Sequence, residues 1–383
     1  MIITFFSYFM NHHQLPLCEE LKKNSDEFYF VATAPIPEDR LQMGYEDLNT
    51  AYDFVLRSYD GSTSEERIAE LLEESDIVIF GNSPVRYVEH RMKFNKPSFL
   101  YNERCFKKGT WRRYIPKIRN LIKRRVLNFK DKNLYVLCAS GFASADLKLM
   151  GFSEEKCLKW GYFPQVNAPK PHRHQGKKPV RILWTGRLID WKHPDDALQA
   201  AVNLHRQGID FTLDFIGIGK MERRLKAVAK NHKLQEKVRF QGSMSPSEVL
   251  ENMQKADIFL MTSDFNEGWG AVVNESMGSG CAVLASSAVG SVPFLINDKQ
   301  NGLIYQYGNK EDFEAKLRIL SEDAELRKKL GENAFNTIKN DYNARVAAYR
   351  LVEFVRNGCR LNETYESGPM TKAPVLENRW YNV

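Results

Sequence analysis

The chain has 383 residues, 43% of them hydrophobic and 27% charged, with a formal net charge of +7. This is the composition of a soluble globular protein, long enough for two domains with separate cores. No stretch approaches the roughly 20 apolar residues that a membrane-spanning helix needs. Six scattered cysteines (Cys18, Cys105, Cys138, Cys157, Cys281, Cys359) include no Cys-x-x-Cys pair and fit a reducing compartment better than a disulfide framework.

Met1 to Met10 is apolar but short, without the basic leader and small-residue cleavage site of a signal peptide. It reads as the first buried strand, Ile2 to Tyr8, of a protein expected to stay in the cytoplasm. Asn11-His12-His13-Gln14 follows at that strand's C-terminal end. Adjacent histidines point opposite ways in extended chain, so at most one of the two is expected to face a site there. Phe28–Ala32, Asp76–Phe80, Ser98–Tyr101 and Leu134–Ala139 read as further strands of a first α/β domain, residues 1–165. Glu103 ends the Ser98–Tyr101 strand, beside Arg104.

The charge is uneven. Between Arg104 and Lys132 stand twelve Lys and Arg against Asp131 alone, a local +11 that leaves the rest of the chain at −4. From Trp111 to Val126 apolar residues recur at three-and-four spacing, with Arg and Lys on the other face. Pro116 marks a first turn or a kink. Three readings stand: a crossover helix with a solvated basic face, a helix lying on an anionic membrane surface, or a nucleic-acid contact. No zinc-finger, RNP-type or KH signature accompanies the last, so nucleic acid is the least favoured partner.

Pro164 to Pro179 holds four prolines and reads as a linker, residues 166–179. Its His172-Arg173-His174 offers two ligands and no nearby cysteine, so no metal site is expected. From Val180 strand and helix patterns alternate: Val180–Thr185, Pro194–Arg206, Phe211–Ile216, Lys220–Asn231, Val238–Gln241, Pro246–Lys255, Asp257–Thr262, then a turn, a helix and the strand Ala282–Ala285. Such alternation predicts a parallel doubly wound sheet over residues 180–345, with ligands at the strands' C-terminal ends. A closing helix, 346–360, and a loosely packed tail, 361–383, follow.

Two motifs fall at those strand ends. Gly186-Arg187 follows Val180–Thr185, with Lys192 five residues later. A guanidinium and an ammonium there can neutralise a diphosphate and stabilise it as a leaving group. Glu267-Gly268-Trp269-Gly270 precedes a helical segment that carries Glu275, so two carboxylates stand eight residues apart around a helix N-terminus. Free N–H groups at that terminus attract an anion, and carboxylates accept hydrogen bonds from hydroxyls. The combination suits sugar rings flanking a diphosphate, as in a nucleotide-sugar. Gly217-Ile218-Gly219 starts like a dinucleotide fingerprint, but Glu222 occupies the third glycine's place, which argues against a nicotinamide cofactor.

On these residues the region Val180 to Asp341 resembles the nucleotide-sugar domain of glycosyltransferase family 4, retaining enzymes of the GT-B fold. Glu267 and Glu275 match its Glu-x7-Glu signature, and Gly186, Arg187 and Lys192 its Gly-Arg…Lys element. Trp269 stands where Phe is usual, Ser276 where Ala is usual, Ala282 in place of a common Pro and Phe294 where a Glu often follows the proline. The glycine-rich loop common after the first strand is missing. The resemblance implies two Rossmann-like domains facing a cleft, with Arg187 and Lys192 on the diphosphate and Glu275 on the ribose. Glu267 and the amides of Trp269 and Gly270 would lie near the donor sugar and phosphate, and Gly186, Gly217, Gly219 and Gly268 would line the nucleotide.

His12, His13 and Glu103 are then acceptor-side candidates; the alternatives are structural loop histidines and an ion pair of Glu103 with Arg104. No metal or other cofactor is implied, and the donor, a UDP- or GDP-sugar, is a substrate. The expectation is a metal-independent retaining glycosyltransferase acting on a glycan acceptor, lipid-linked, in lipopolysaccharide, capsule or exopolysaccharide synthesis. It would sit on the inner face of the plasma membrane through residues 104–132. A nucleotide-sugar epimerase of the same fold and a non-catalytic GT-B binding protein are the competing readings.

Overall fold

The computed structural model describes residues 1–42, 44–165 and 179–382. The chain divides into two compact units, Met1–Gln165 with Asp341–Glu377, and Val166–Asn340 with Asn378–Val383. The expected linker, apart from Pro179, and the His172-Arg173-His174 run lie outside the described residues.

The first unit is built on seven strands: β1 (Ile2–Ser7), β2 (Glu27–Ala32), β3 (Val55–Arg57), β4 (Ile77–Phe80), β5 (Ser98–Asn102), β6 (Leu134–Cys138) and β7 (Cys157–Lys159). They pair in parallel in the order β3-β2-β1-β4-β5-β6-β7. The central strands β1 and β4 are almost uninterrupted apolar runs, as strands covered on both faces must be. Phe5, Phe6, Ile79 and Phe80 are fully buried, and the Phe6 ring stacks on Phe80 at 5.7 Å. The edge strands β3 and β7 are three residues long, too short for an alternating pattern to announce them.

The helix Ala344–Arg356 belongs to this unit. It packs on the helix Leu15–Lys23 and sets Phe354 edge-on against Tyr135 at 5.1 Å. Of the residues beyond Leu361, expected to be loosely packed, Met370 to Ala373 instead extend the sheet at its edge. The amides of Met370 and Ala373 donate to the carbonyls of Lys159 and Cys157, and the Lys159 amide donates to Thr371. Backbone hydrogen bonds hold this segment, so no apolar period betrays it in the sequence.

The basic segment is not one helix. Thr110–Tyr114 is a 3-10 turn, Ile115 is extended, Pro116–Arg125 is an α-helix and Leu127–Phe129 a second 3-10 turn. Pro116 forces the break: it starts a helix well but pushes the residue before it out of helical conformation. Part of the charge is structural. Arg104 forms a buried pair with Asp146 at 3.2 Å, Arg124 pairs with Glu89 at 2.8 Å, and Arg125 donates to the Gly81 carbonyl.

The second unit has six strands: β8 (Val180–Thr185), β9 (Phe211–Ile216), β10 (Val238–Phe240), β11 (Ile258–Met261), β12 (Ala282–Ser286) and β13 (Leu303–Tyr305). All pair in parallel, in the order β10-β9-β8-β11-β12-β13. This confirms the doubly wound sheet; β13 is an addition that its length concealed. The chain leaves β8 toward β9 and leaves β11 toward β12, so it turns away on opposite sides of one strand pair. A crevice opens at such a switch point. No helix among the described residues is long and apolar enough to cross a membrane.

Candidate functional site

The two motifs of the second unit meet at this switch point because β8 and β11 are hydrogen-bonded neighbours. Past the strands, their loops are tied together. Trp184 Nε1 donates to Thr262 Oγ1 at 2.9 Å, and Thr262 Oγ1 donates to the Lys192 carbonyl at 2.7 Å. The Asp264 amide donates to the Trp191 carbonyl at 3.0 Å. The tie brings residues 75 apart into contact: Lys192 Nζ pairs with Glu267 Oε2 at 2.5 Å, and Ser263 Oγ donates to the same oxygen at 3.0 Å. Arg187 is exposed, with its guanidinium 5.9 Å from the Trp191 ring centroid, and forms no ion pair among the described residues.

Glycines set the approach of these loops. A Cβ on Gly217 would lie 2.0 Å from the Gly186 carbonyl oxygen, and one on Gly219 would lie 2.4 Å from that of Leu188. The 217–219 loop is thereby pressed against the Arg187 turn, where Leu188 donates to Ile218 at 2.9 Å. Gly270 has φ +85 and precedes the helix Ala271–Gly278. Its Cβ would fall 2.8 Å from Met261 Cε and 3.0 Å from Val289 Cγ1. Trp269 is fully buried beside it, and its Nε1 donates to Asn274 Oδ1 at 2.7 Å. Asn274 gives the buried indole N–H a partner that a Phe would not need. Phe294 stands 6.1 Å from the Trp269 ring.

Glu275 lies on the helix that Gly270 starts, and burial pushes its carboxyl up to about 7. Near neutral pH it is therefore poised between donor and acceptor of a hydrogen bond. The switch point thus gathers an ammonium already paired, a free-standing guanidinium, a helix start and two carboxylates. Chemically it can take a polyanion and hold hydroxyls beside it.

In the first unit, Asn11 shapes the loop after β1: its Oδ1 accepts from the amides of His13 and Gln14 at 3.0 and 3.2 Å. This is a turn, so the alternation expected of His12 and His13 does not apply. Their rings lie side by side with centroids 3.7 Å apart, His12 against Tyr45 and His13 stacked on Tyr162. Burial, aided by Arg40, lowers His12 to about 4; burial, His12 and Arg40 hold His13 well below the usual range. Both are neutral at physiological pH. Tyr162 links them to Glu103, donating its hydroxyl to Oε1 at 2.8 Å, while Lys107 holds Oε2 at 2.5 Å. Glu103 does not pair with Arg104, which is committed to Asp146. Tyr45, Tyr162 and Lys107 were missed by sequence reasoning, because nothing in their local spacing ties them to the histidines.

Two expectations follow. Gly270→Ala must place a Cβ against Met261 at a left-handed φ, a strain worth about 1–3 kcal/mol; thermal denaturation should show a lowered Tm. Glu275 holds its proton more tightly folded than unfolded, so its contribution to stability is complete at acid pH and is lost as pH rises through about 7. Denaturation at pH 5 and pH 8 should show a smaller pH-dependent loss in Glu275→Gln than in the parent.

Comparison with known proteins fits this geometry. Residues 167–337 match the family described as glycosyl transferases group 1. An uncharacterized glycosyltransferase of Methanocaldococcus jannaschii, MJ1069, is 26% identical over 279 residues, 69% of this chain and 66% of that protein. The putative colanic acid biosynthesis glycosyltransferase WcaL of Escherichia coli K12 is 24% identical over 251 residues, 63% of this chain and 59% of that protein. The chain thus spans less than two thirds of either relative's length. Among solved structures, Anabaena HepE in complex with UDP superimposes with a TM-score of 0.70 at 14% identity, covering 93% of this chain and 100% of that one. Residues 167–337 are thus similar to glycosyl transferases group 1, and the likeness to solved structures is one of fold: two parallel-sheet Rossmann-like units of the GT-B kind.

Proposed function

We propose that the protein is a retaining glycosyltransferase that moves a sugar from a UDP- or GDP-sugar to a glycan acceptor in surface polysaccharide synthesis. The observation that carries this reading is the cluster at the β8–β11 switch point: Arg187, Lys192 and the start of the helix Ala271–Gly278 beside Glu267 and Glu275. A UDP-bound structural neighbour and a colanic acid relative support the donor class and the pathway class.

In this reading Arg187 and Lys192 take the charge that grows on the departing diphosphate, helped by the Trp269 and Gly270 amides. This neutralisation uses side chains and backbone and asks for no metal. Lys192 exchanges its Glu267 partner for phosphate oxygens, which leaves Glu267 to accept a hydrogen bond from the donor sugar. Glu275 binds the ribose hydroxyls. Departure of the nucleoside diphosphate leaves an oxocarbenium-like sugar. The acceptor hydroxyl attacks from the leaving-group face and loses its proton to the departing phosphate. On the acceptor side, the neutral His12 and His13 accept or donate hydrogen bonds to hydroxyls, and Tyr162 and Lys107 orient Glu103.

The acceptor is lipid-linked in this proposal, because the first unit carries a surface suited to an anionic membrane. Trp111, Tyr114 and Leu121 are 61%, 69% and 50% exposed, interleaved with exposed Lys108, Lys117, Arg119 and Lys123. Aromatic and aliphatic side chains enter the headgroup layer while the cations meet lipid phosphates.

The donor assignment is tested by thermal denaturation against UDP-, GDP-, ADP- and CMP-sugars. One nucleotide should raise Tm selectively, and Glu275→Ala should weaken that effect with the fold intact. No shift with any of them removes the assignment, and sugar conversion with donor alone identifies an epimerase instead. For the membrane, Lys117, Arg119 and Lys123 are the residues to reverse to Glu, since Arg124 and Arg125 serve the fold. At about 1 kcal/mol per cation, even neutralising three weakens binding to phosphatidylglycerol vesicles roughly a hundred-fold. Parent protein that stays unbound in a vesicle sedimentation assay refutes the membrane contact.

A further inference from the structure

His193 follows Lys192 and has a backbone that its residue type disfavours. It sits at φ +47, ψ +50, a left-handed conformation, immediately before Pro194. A non-glycine residue holds such a geometry only where its surroundings over-determine it, and a following proline narrows the choice further.

The surroundings are carboxylates. His193 Nε2 lies 3.5 Å from Asp264 Oδ2, and Nδ1 lies 3.9 Å from Asp196 Oδ2. Asp195 adds its field, Tyr307 places its ring 5.9 Å away, and Lys310 meets Asp196 from the far side at 3.1 Å. Asp264 is itself fixed: its amide holds the Trp191 carbonyl, and its Oδ1 accepts from the Asn266 amide and side chain at 2.7 and 2.9 Å. The imidazole therefore stands between the turn that carries Lys192 and the turn that carries Glu267.

We propose that His193 is a positioning residue that clamps the Lys192 turn to the Asp264–Glu267 turn and so holds the Lys192 ammonium at the anion site. The proposal rests on the donor-binding reading above. The Asp264 carboxylate, 3.5 Å from Nε2, raises the imidazole's pKa against the opposing effect of burial, and Asp196 and Asp195 add to it. Burial pushes the Asp264 carboxyl up, but His193 and Asn266 outweigh it and leave it low. The clamp is thus charged below the imidazole's pKa and is lost as pH rises through it.

The test is calorimetric binding of UDP, GDP, ADP and CDP to the full chain from pH 5.5 to 8.5, using parent, His193→Gly and Asp264→Asn. Glycine removes the imidazole while relieving the left-handed strain, so loss of binding cannot be assigned to a misfolded turn. The expected result is binding up to ~5-fold weaker in His193→Gly at pH 6, the ceiling for a partly exposed ion pair. The difference from the parent should vanish by pH 8.5. Equal affinities and equal pH profiles overturn the clamp. If the parent binds none of the four nucleotides, the donor reading fails, and imidazole NMR decides the clamp separately. A His193 midpoint that falls in Asp264→Asn supports it, and an unmoved midpoint overturns it.

Discussion

Everything at the candidate site depends on one constraint: β8 and β11 are neighbours in a parallel sheet although 75 residues separate Lys192 from Glu267. Parallel pairing puts both strand ends on the same edge, and the opposite crossovers carry the following helices away from it. The Trp184–Thr262–Lys192 chain of hydrogen bonds then fixes the two loops against each other. Because Trp184 belongs to the buried core, the position of a charged group is referred back to packed apolar side chains. Precision at the site is inherited from the interior.

The electrostatics follow from that placement. Lys192 is not left as a bare cation; Glu267 satisfies it, and an entering polyanion competes with that carboxylate. Such pairing lowers the cost of keeping an ammonium partly buried. Arg187, by contrast, stays exposed and keeps its charge available. Glu275 is held by burial near its midpoint at neutral pH, whereas His12 and His13 are held neutral. The same force, desolvation of the charged form, thus produces opposite shifts in an acid and in two bases.

The basic segment shows why a charge count is not a surface. Of its cations, Arg104 neutralises a buried aspartate, Arg124 meets a helix carboxylate and Arg125 caps a strand-end carbonyl. Those are structural uses of arginine, whose fork of donors suits fixed geometry. Lys108, Lys117, Arg119 and Lys123 remain exposed in the same stretch of chain as Trp111, Tyr114 and Leu121. Sorting the charges by partner leaves a smaller set of exposed cations than the sequence suggests.

By itself, the sequence determined the parallel α/β class, most strands of the second unit and both of its motifs. These are local: apolar runs of strand length, glycine where φ must be positive, and charged residues at strand ends. Only the tertiary structure decided the rest. It drew residues 370–373 onto β7 and set His12 and His13 side by side in an Asn11 turn. It also joined Lys192 to Glu267, His13 through Tyr162 to Glu103, and His193 to Asp264. Each of these pairings spans many residues or breaks a regular backbone, and periodicity carries no information about either. They arise when the sheet order brings distant strand ends together, and that order is a property of the whole packed chain.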